Sequence, residues 1–115
     1  MNEKRYRLRA DEIREVAPGR GSCVASEEIT VAGERVGYMY REMPDTDVDS
    51  GWRFFSGSES QEFADNAENF GLYDVNTIAN YDASIISLLD APPGSAFERD
   101  GAGAFVPVPF PAVSD

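Results

Sequence analysis

Trp52-Arg53-Phe54-Phe55 stands between Gly51 and Gly57, and this block constrains the fold more than any other stretch of the chain. At a two-residue period Trp52 and Phe54 point one way and Arg53 and Phe55 the other, so at least one aromatic face must be covered. Residues this bulky suit a central strand rather than an edge. Residues 36–41 supply the expected sheet neighbour: Val36, Tyr38 and Tyr40 share one face, and Gly37, Met39 and Arg41 the other. Cover comes from residues 83–89, where Ile85, Ile86, Leu88 and Leu89 form the apolar stripe of a short helix predicted to pack on Trp52 or Phe54.

The remaining punctuation is dense. Cys23-Val24-Ala25 and Ile29-Thr30-Val31 read as short strands, with a turn at Ala32-Gly33. Ser58 with Gln61 has the form of a capping box, predicting a helix over 59–65, and Asp74 and Asp82 read as N-caps of helices over 75–80 and 83–89. Pro92-Pro93-Gly94 stops the last of these. Residues 96–99 and 104–106 flank a turn at 100–103 and read as a closing hairpin. Before all this, Arg5, Arg7 and Arg9 alternate with Tyr6 and Leu8 as an edge strand or arm, and residues 11–16 suit one or two helical turns. Strands first, helices in the middle and a hairpin at the end predict a small α+β domain with a mainly antiparallel sheet. The chain divides into an arm or short helix at 1–20, the domain at 21–106, and a proline-rich tail at 107–115 that cannot enter a sheet interior. At 115 residues and 42% apolar composition, one core is expected, burying roughly two thirds of the unfolded surface.

Charge bears on partners. The chain carries 21 acidic against 10 basic side chains, a net charge of −11. Six of the bases lie in residues 1–20, whereas from Glu42 to Glu98 there are 12 acids and a single base, Arg53. Such a balance repels a phosphate backbone and an anionic membrane surface, so neither nucleic acid nor membrane is expected as partner. A protein with a basic surface is the electrostatic complement, and plain solubility is the other reading of the same acids. No run of 18 apolar residues and no apolar N-terminal stretch is present, and a cytoplasmic location is expected.

Histidine is absent, which removes the commonest general base and zinc ligand. Cys23, the only cysteine, has no imidazole to activate it and strand-like flanks, so a buried structural thiol is expected. Asp45, Asp47 and Asp49 are spaced like the first ligands of a calcium loop, but Ser50 follows Asp49 where glycine is needed and Ser56 stands at position twelve. A solvated acidic loop is therefore expected, with no metal and no cofactor. Paired carboxylates for hydrolysis are uninformative in so acidic a chain.

Three stretches are more specific in wording: Val36-Gly37-Tyr38-Met39-Tyr40-Arg41-Glu42, Asp49-Ser50-Gly51-Trp52-Arg53-Phe54-Phe55-Ser56-Gly57, and Tyr73-Asp74-Val75-Asn76-Thr77-Ile78-Ala79-Asn80-Tyr81-Asp82. With Gly94-Ser95-Ala96-Phe97-Glu98-Arg99-Asp100, they resemble immunity protein family thirty-three of bacterial polymorphic toxin systems, formerly a domain of unknown function. The resemblance covers residues 23–100. It implies a cytosolic bacterial protein that binds and neutralises a toxin delivered by neighbouring cells, and it brings no catalytic residue onto this chain. The candidate contacts are Asp45, Asp47, Asp49, Glu59, Glu62, Asp65 and Glu68, one loop and one helix around the Trp52 strand, expected to meet a basic toxin surface. A small carboxylate-based or cation-dependent hydrolase and an accessory structural domain are the competing readings.

Overall fold

The computed structural model describes residues 5–111. Six strands form one sheet: β1 (Ser22–Ser26), β2 (Tyr38–Arg41), β3 (Asp49–Phe55), β4 (Phe70–Asp74), β5 (Ala96–Arg99) and β6 (Phe105–Pro107), in the spatial order β4-β1-β3-β2-β5-β6. Only β1 and β3 run parallel; every other pairing is antiparallel, so the domain is α+β as the sequence predicts. The Trp52 strand is central, with β2 beside it in the register Tyr38 to Phe55, Met39 to Phe54 and Tyr40 to Arg53. Pro107 ends β6 at the outer edge of the sheet, where a missing N–H interrupts no ladder. The tail beyond Pro111 lies outside the described residues.

The helical segments are α1 (Glu27–Thr30), α2 (Gln61–Ala64) and α3 (Val75–Tyr81), with 3-10 turns at Ala10–Glu12, Ala67–Asn69 and Ala83–Leu88. The α1, α3 and Ala83–Leu88 segments cover one face of the sheet, whereas α2 and Ala67–Asn69 border the other. Trp52, Phe54, Met39, Cys23 and Ala25 point from the sheet toward Ile29 of α1, Val75, Ile78 and Ala79 of α3, and Ile85 and Leu89, and these side chains make up the core. The indole N–H of Trp52 donates to the Leu89 carbonyl at 3.2 Å, so the expected packing of the Trp52 strand on residues 85–89 is present. Asp74 and Asp82 cap as expected, their carboxylates accepting the N–H groups of Asn76 and Ser84.

Several local expectations are corrected. Ile29-Thr30 lies in α1 rather than a strand: Ser26 accepts the N–H of Glu28, and Glu27 and Glu28 place negative charge at the helix start, which outweighs β-branched propensity. The cap of α2 is Ser60, not Ser58, and the helix spans four residues rather than 59–65; Ser58 instead donates its hydroxyl to Glu28. Val36 does not share the Tyr38 and Tyr40 face. It precedes β2, its N–H donates to Asp82, and its side chain lies in the helix-side core. Arg5 to Arg9 form no strand, and the turn expected over 11–16 is the single 3-10 turn Ala10–Glu12. Strand β4, for which the sequence carried no reading, closes one edge of the sheet through five register pairs with β1.

Candidate functional site

The face of the sheet opposite the core is aromatic. Register places Leu72, Val24, Arg53, Tyr40 and Ala96 in one row across β4, β1, β3, β2 and β5. Beside that row, Phe55 lies 5.7 Å from Phe70 and 5.8 Å from both Tyr38 and Tyr40, ring centre to ring centre. Phe63 of α2 extends the cluster at one end, 5.9 Å from Phe70, and Phe110 of the tail closes the other, 5.5 Å from Tyr40. Between them runs a shallow trough of about 660 Å³ lined by Val24, Tyr40, Arg53, Phe55, Phe70 and Leu72, with Ala64, Asp65 and Ala67 as one wall. Leu72, at the β4 end of the row, is 77% exposed.

Arg53 is the one cation of the trough lining. Its Nε donates to Glu42 at 2.8 Å, and its two terminal nitrogens donate to the two oxygens of Asp49, each at 3.0 Å. The Arg53 and Asp49 side chains are only 11% and 12% exposed. Their proximity follows from a bulge: Ser22 pairs with Asp49 and Val24 with Arg53, so β3 takes four residues where β1 takes two. Gly51 sits in that bulge with φ of 87°, and a Cβ there would stand 2.1 Å from the Glu42 carbonyl oxygen. The Arg53 guanidinium beside Asp49 holds its carboxyl well below the usual carboxylate range, with help from the Asp45 and Gly51 N–H groups.

The seven acids read from the sequence are thus differently placed. Asp49 is bound to Arg53 instead of facing water as part of a solvated loop, whereas Asp45 and Asp47 are exposed. Glu59 lies outside α2 and accepts the N–H groups of Ser56 and Gly57; burial pushes its carboxyl up, but hydrogen bonds from Ser26 and those two amides outweigh it and leave it below the ordinary value. Glu62 is exposed on α2, Asp65 is exposed at its end and accepts from Gln61, and Glu68 is exposed on the following 3-10 turn. The structure brings two of them to opposite borders of the aromatic surface: Asp65 stands on the Phe70 side, and Asp45, with Glu42, on the Phe110 side. Among the described residues no three acidic or cysteine side chains gather as metal ligands. Cys23 is fully buried, and burial, seconded by the Asp74 charge, pushes its thiol up.

Sequence reasoning passed over the aromatic face and Arg53. The available signal was the alternation of Tyr38 with Tyr40 and of Phe70 with Leu72, two half-sets of one surface that only the sheet order joins.

Comparison with known proteins bears on what such a face serves. The Imm33 immunity protein domain matches residues 23–109 of the 115-residue chain, which takes in all six strands except the first residue of β1. This chain belongs to the Imm33 immunity protein family. The resemblance read from residues 23–100 therefore holds, and the match extends it across β6 into the proline tail. Family membership carries a toxin-neutralising, binding role. No curated protein and no solved structure matches the chain significantly. No helix among the described residues is long and apolar enough to cross a membrane.

Proposed function

We propose that this protein is a stoichiometric inhibitor, without chemistry of its own, that protects the cytoplasm of a bacterium by occupying a basic surface of a cognate toxin. The family match over residues 23–109 carries the reading. Its charge supports it: 12 acids against one base between Glu42 and Glu98 give a field that speeds encounter with a cationic protein and repels nucleic acid. Asp45, Asp47, Glu62, Asp65 and Glu68, all exposed, are the proposed contacts at the rim. Asp49 and Glu59 belong to the same set but act by holding Arg53 and the 56–57 turn in place.

The test is a titration. A candidate toxin domain, sought among the neighbouring genes, is purified and its activity measured against rising amounts of this chain. Inhibition ending at one chain per toxin, at a rate of association that falls with added salt, is the expected result. Inhibition at catalytic amounts of the chain would instead make it an enzyme acting on the toxin or its product, and no inhibition would dismiss the reading.

A further inference from the structure

We propose that the aromatic face of the sheet, opposite the core, is the toxin-docking surface, and that its occupant is a protein segment bearing an apolar side chain next to a lysine or arginine. The inference rests on the toxin-binding reading above and names the surface and the chemistry it selects.

Three observations converge on it. The first is the trough itself. Its floor is Val24, Tyr40, Phe55 and Phe70, and Leu72 stands in the same surface at 77% exposure, an arrangement that a solvated sheet face does not need. The second is rigidity. The rings from Phe63 to Phe110 contact one another in turn at 5.5–5.9 Å, and the central pair, Phe55 and Tyr40, stands on strands paired on both sides, so little side-chain freedom there remains to be lost on binding. The third is charge. Arg53, the cation in the floor, already has two carboxylates on it, and the other charges bordering the face include Asp45, Glu59, Asp65 and Glu98, so the surface as a whole is negative. Tyr38, Tyr40 and Phe55 offer ring faces to a cation, and the acids at either border compensate it.

The same charge selects among occupants. A second copy of this chain would bring a net charge of −11 against an acidic rim, and an anionic lipid surface would meet the same repulsion. A basic and apolar segment satisfies both the floor and the rim.

The experiment uses the full chain and the candidate toxin domain of that titration, with affinity measured by calorimetry and folding checked by thermal melting. Wild type is measured first; absence of binding overturns the toxin reading and this inference together. Leu72→Lys then places a charge on the trough, and Val16→Lys adds the same charge at an apolar position that is 44% exposed, lies outside the trough and is joined by its N–H to Asn76 of α3. The expected result is a loss of about tenfold or more for Leu72→Lys, a smaller loss for Leu72→Gln, and a change within about twofold for Val16→Lys, with all melting curves cooperative. Equal affinities for Leu72→Lys and Val16→Lys, in a toxin that still binds wild type, would remove this face from the interface and leave the toxin reading standing. Sedimentation of wild type as a dimer that Leu72→Lys splits would assign the face to a second copy and overturn the proposal.

Discussion

Replacing Asp49 by asparagine should destabilise this protein far more than the same change at Asp45 or Asp47, although the three residues lie within one five-residue stretch of sequence. The Asp49 carboxylate accepts both terminal nitrogens of Arg53 at 3.0 Å, the Asp45 N–H at 3.0 Å and the Gly51 N–H at 2.9 Å. An amide keeps one of those acceptor oxygens and turns an NH2 toward a guanidinium that can only donate. Breaking a buried ion pair by removing one partner costs about 3–5 kcal/mol. Glu42 remains on the Arg53 Nε, with its own side chain 47% exposed, so part of the countercharge survives. The expected loss is therefore about 2–3 kcal/mol, a fall in Tm of about 10–20 °C for a domain of this size. Urea unfolding followed by the fluorescence of Trp52, the only tryptophan and a buried one, reads the change directly. Asp45→Asn and Asp47→Asn should stay within about 0.5 kcal/mol of wild type. The pH dependence has a definite sign. Because Arg53 lowers the folded carboxyl below its unfolded value, the pair contributes fully above about pH 4 and its contribution fades as pH falls further, so the gap between wild type and Asp49→Asn should narrow in acid. An Asp49→Asn protein within about 0.5 kcal/mol of wild type at neutral pH would refute the assignment of Asp49 to Arg53.

Cys23 should react slowly with a thiol reagent in the folded protein and quickly in urea, since it is buried and its thiol is pushed up by that burial; fast native labelling would contradict the packing of β1. Gly37→Ala should cost about 3 kcal/mol or more by urea unfolding, because a Cβ there would lie 1.9 Å from the Ser56 carbonyl oxygen, a contact between backbones that no rotamer relieves. Arg99→Met should cost about 3 kcal/mol, as the guanidinium bonds Asp82, the Val36 carbonyl and the Gly103 carbonyl together and leaves the Asp82 carboxylate, 9% exposed, without its cation. Asp82→Asn should lose a similar amount, and the double variant little more than either alone if the two act as one unit.

What the sequence disclosed was what local chemistry controls. β3 ends just before Gly57, although it starts at Asp49 and takes Gly51 into its bulge instead of stopping at it; Asp74 and Asp82 cap as expected, and the turn at residues 100–103 closes the β5–β6 hairpin, each set by residues within a few positions of one another. Ile29-Thr30 went to a helix because a cap two residues away and burial of both side chains outweigh strand propensity. Phe70–Asp74 was hidden by its glycine and by acids and asparagines before it, and its strand character comes from pairing with β1, more than forty residues earlier. The acidic loop shows the same limit at the site. Asp45, Asp47 and Asp49 look equivalent in sequence, but the bulge at Gly51 takes only Asp49 back to Arg53. The trough draws its lining from four strands and the α2 segment, so no window of the sequence contains it.

Hydrogen exchange of the chain alone and in complex with the toxin domain it inhibits tests the central claim most directly. Added protection is expected at residues 61–74, the exposed α2 segment and edge strand β4 that border the trough, with the amides of Val75–Tyr81 and Ala83–Leu88 on the opposite face unchanged. Protection confined to those helical segments, with residues 61–74 exchanging as in the free chain, would contradict docking on the open face of the sheet.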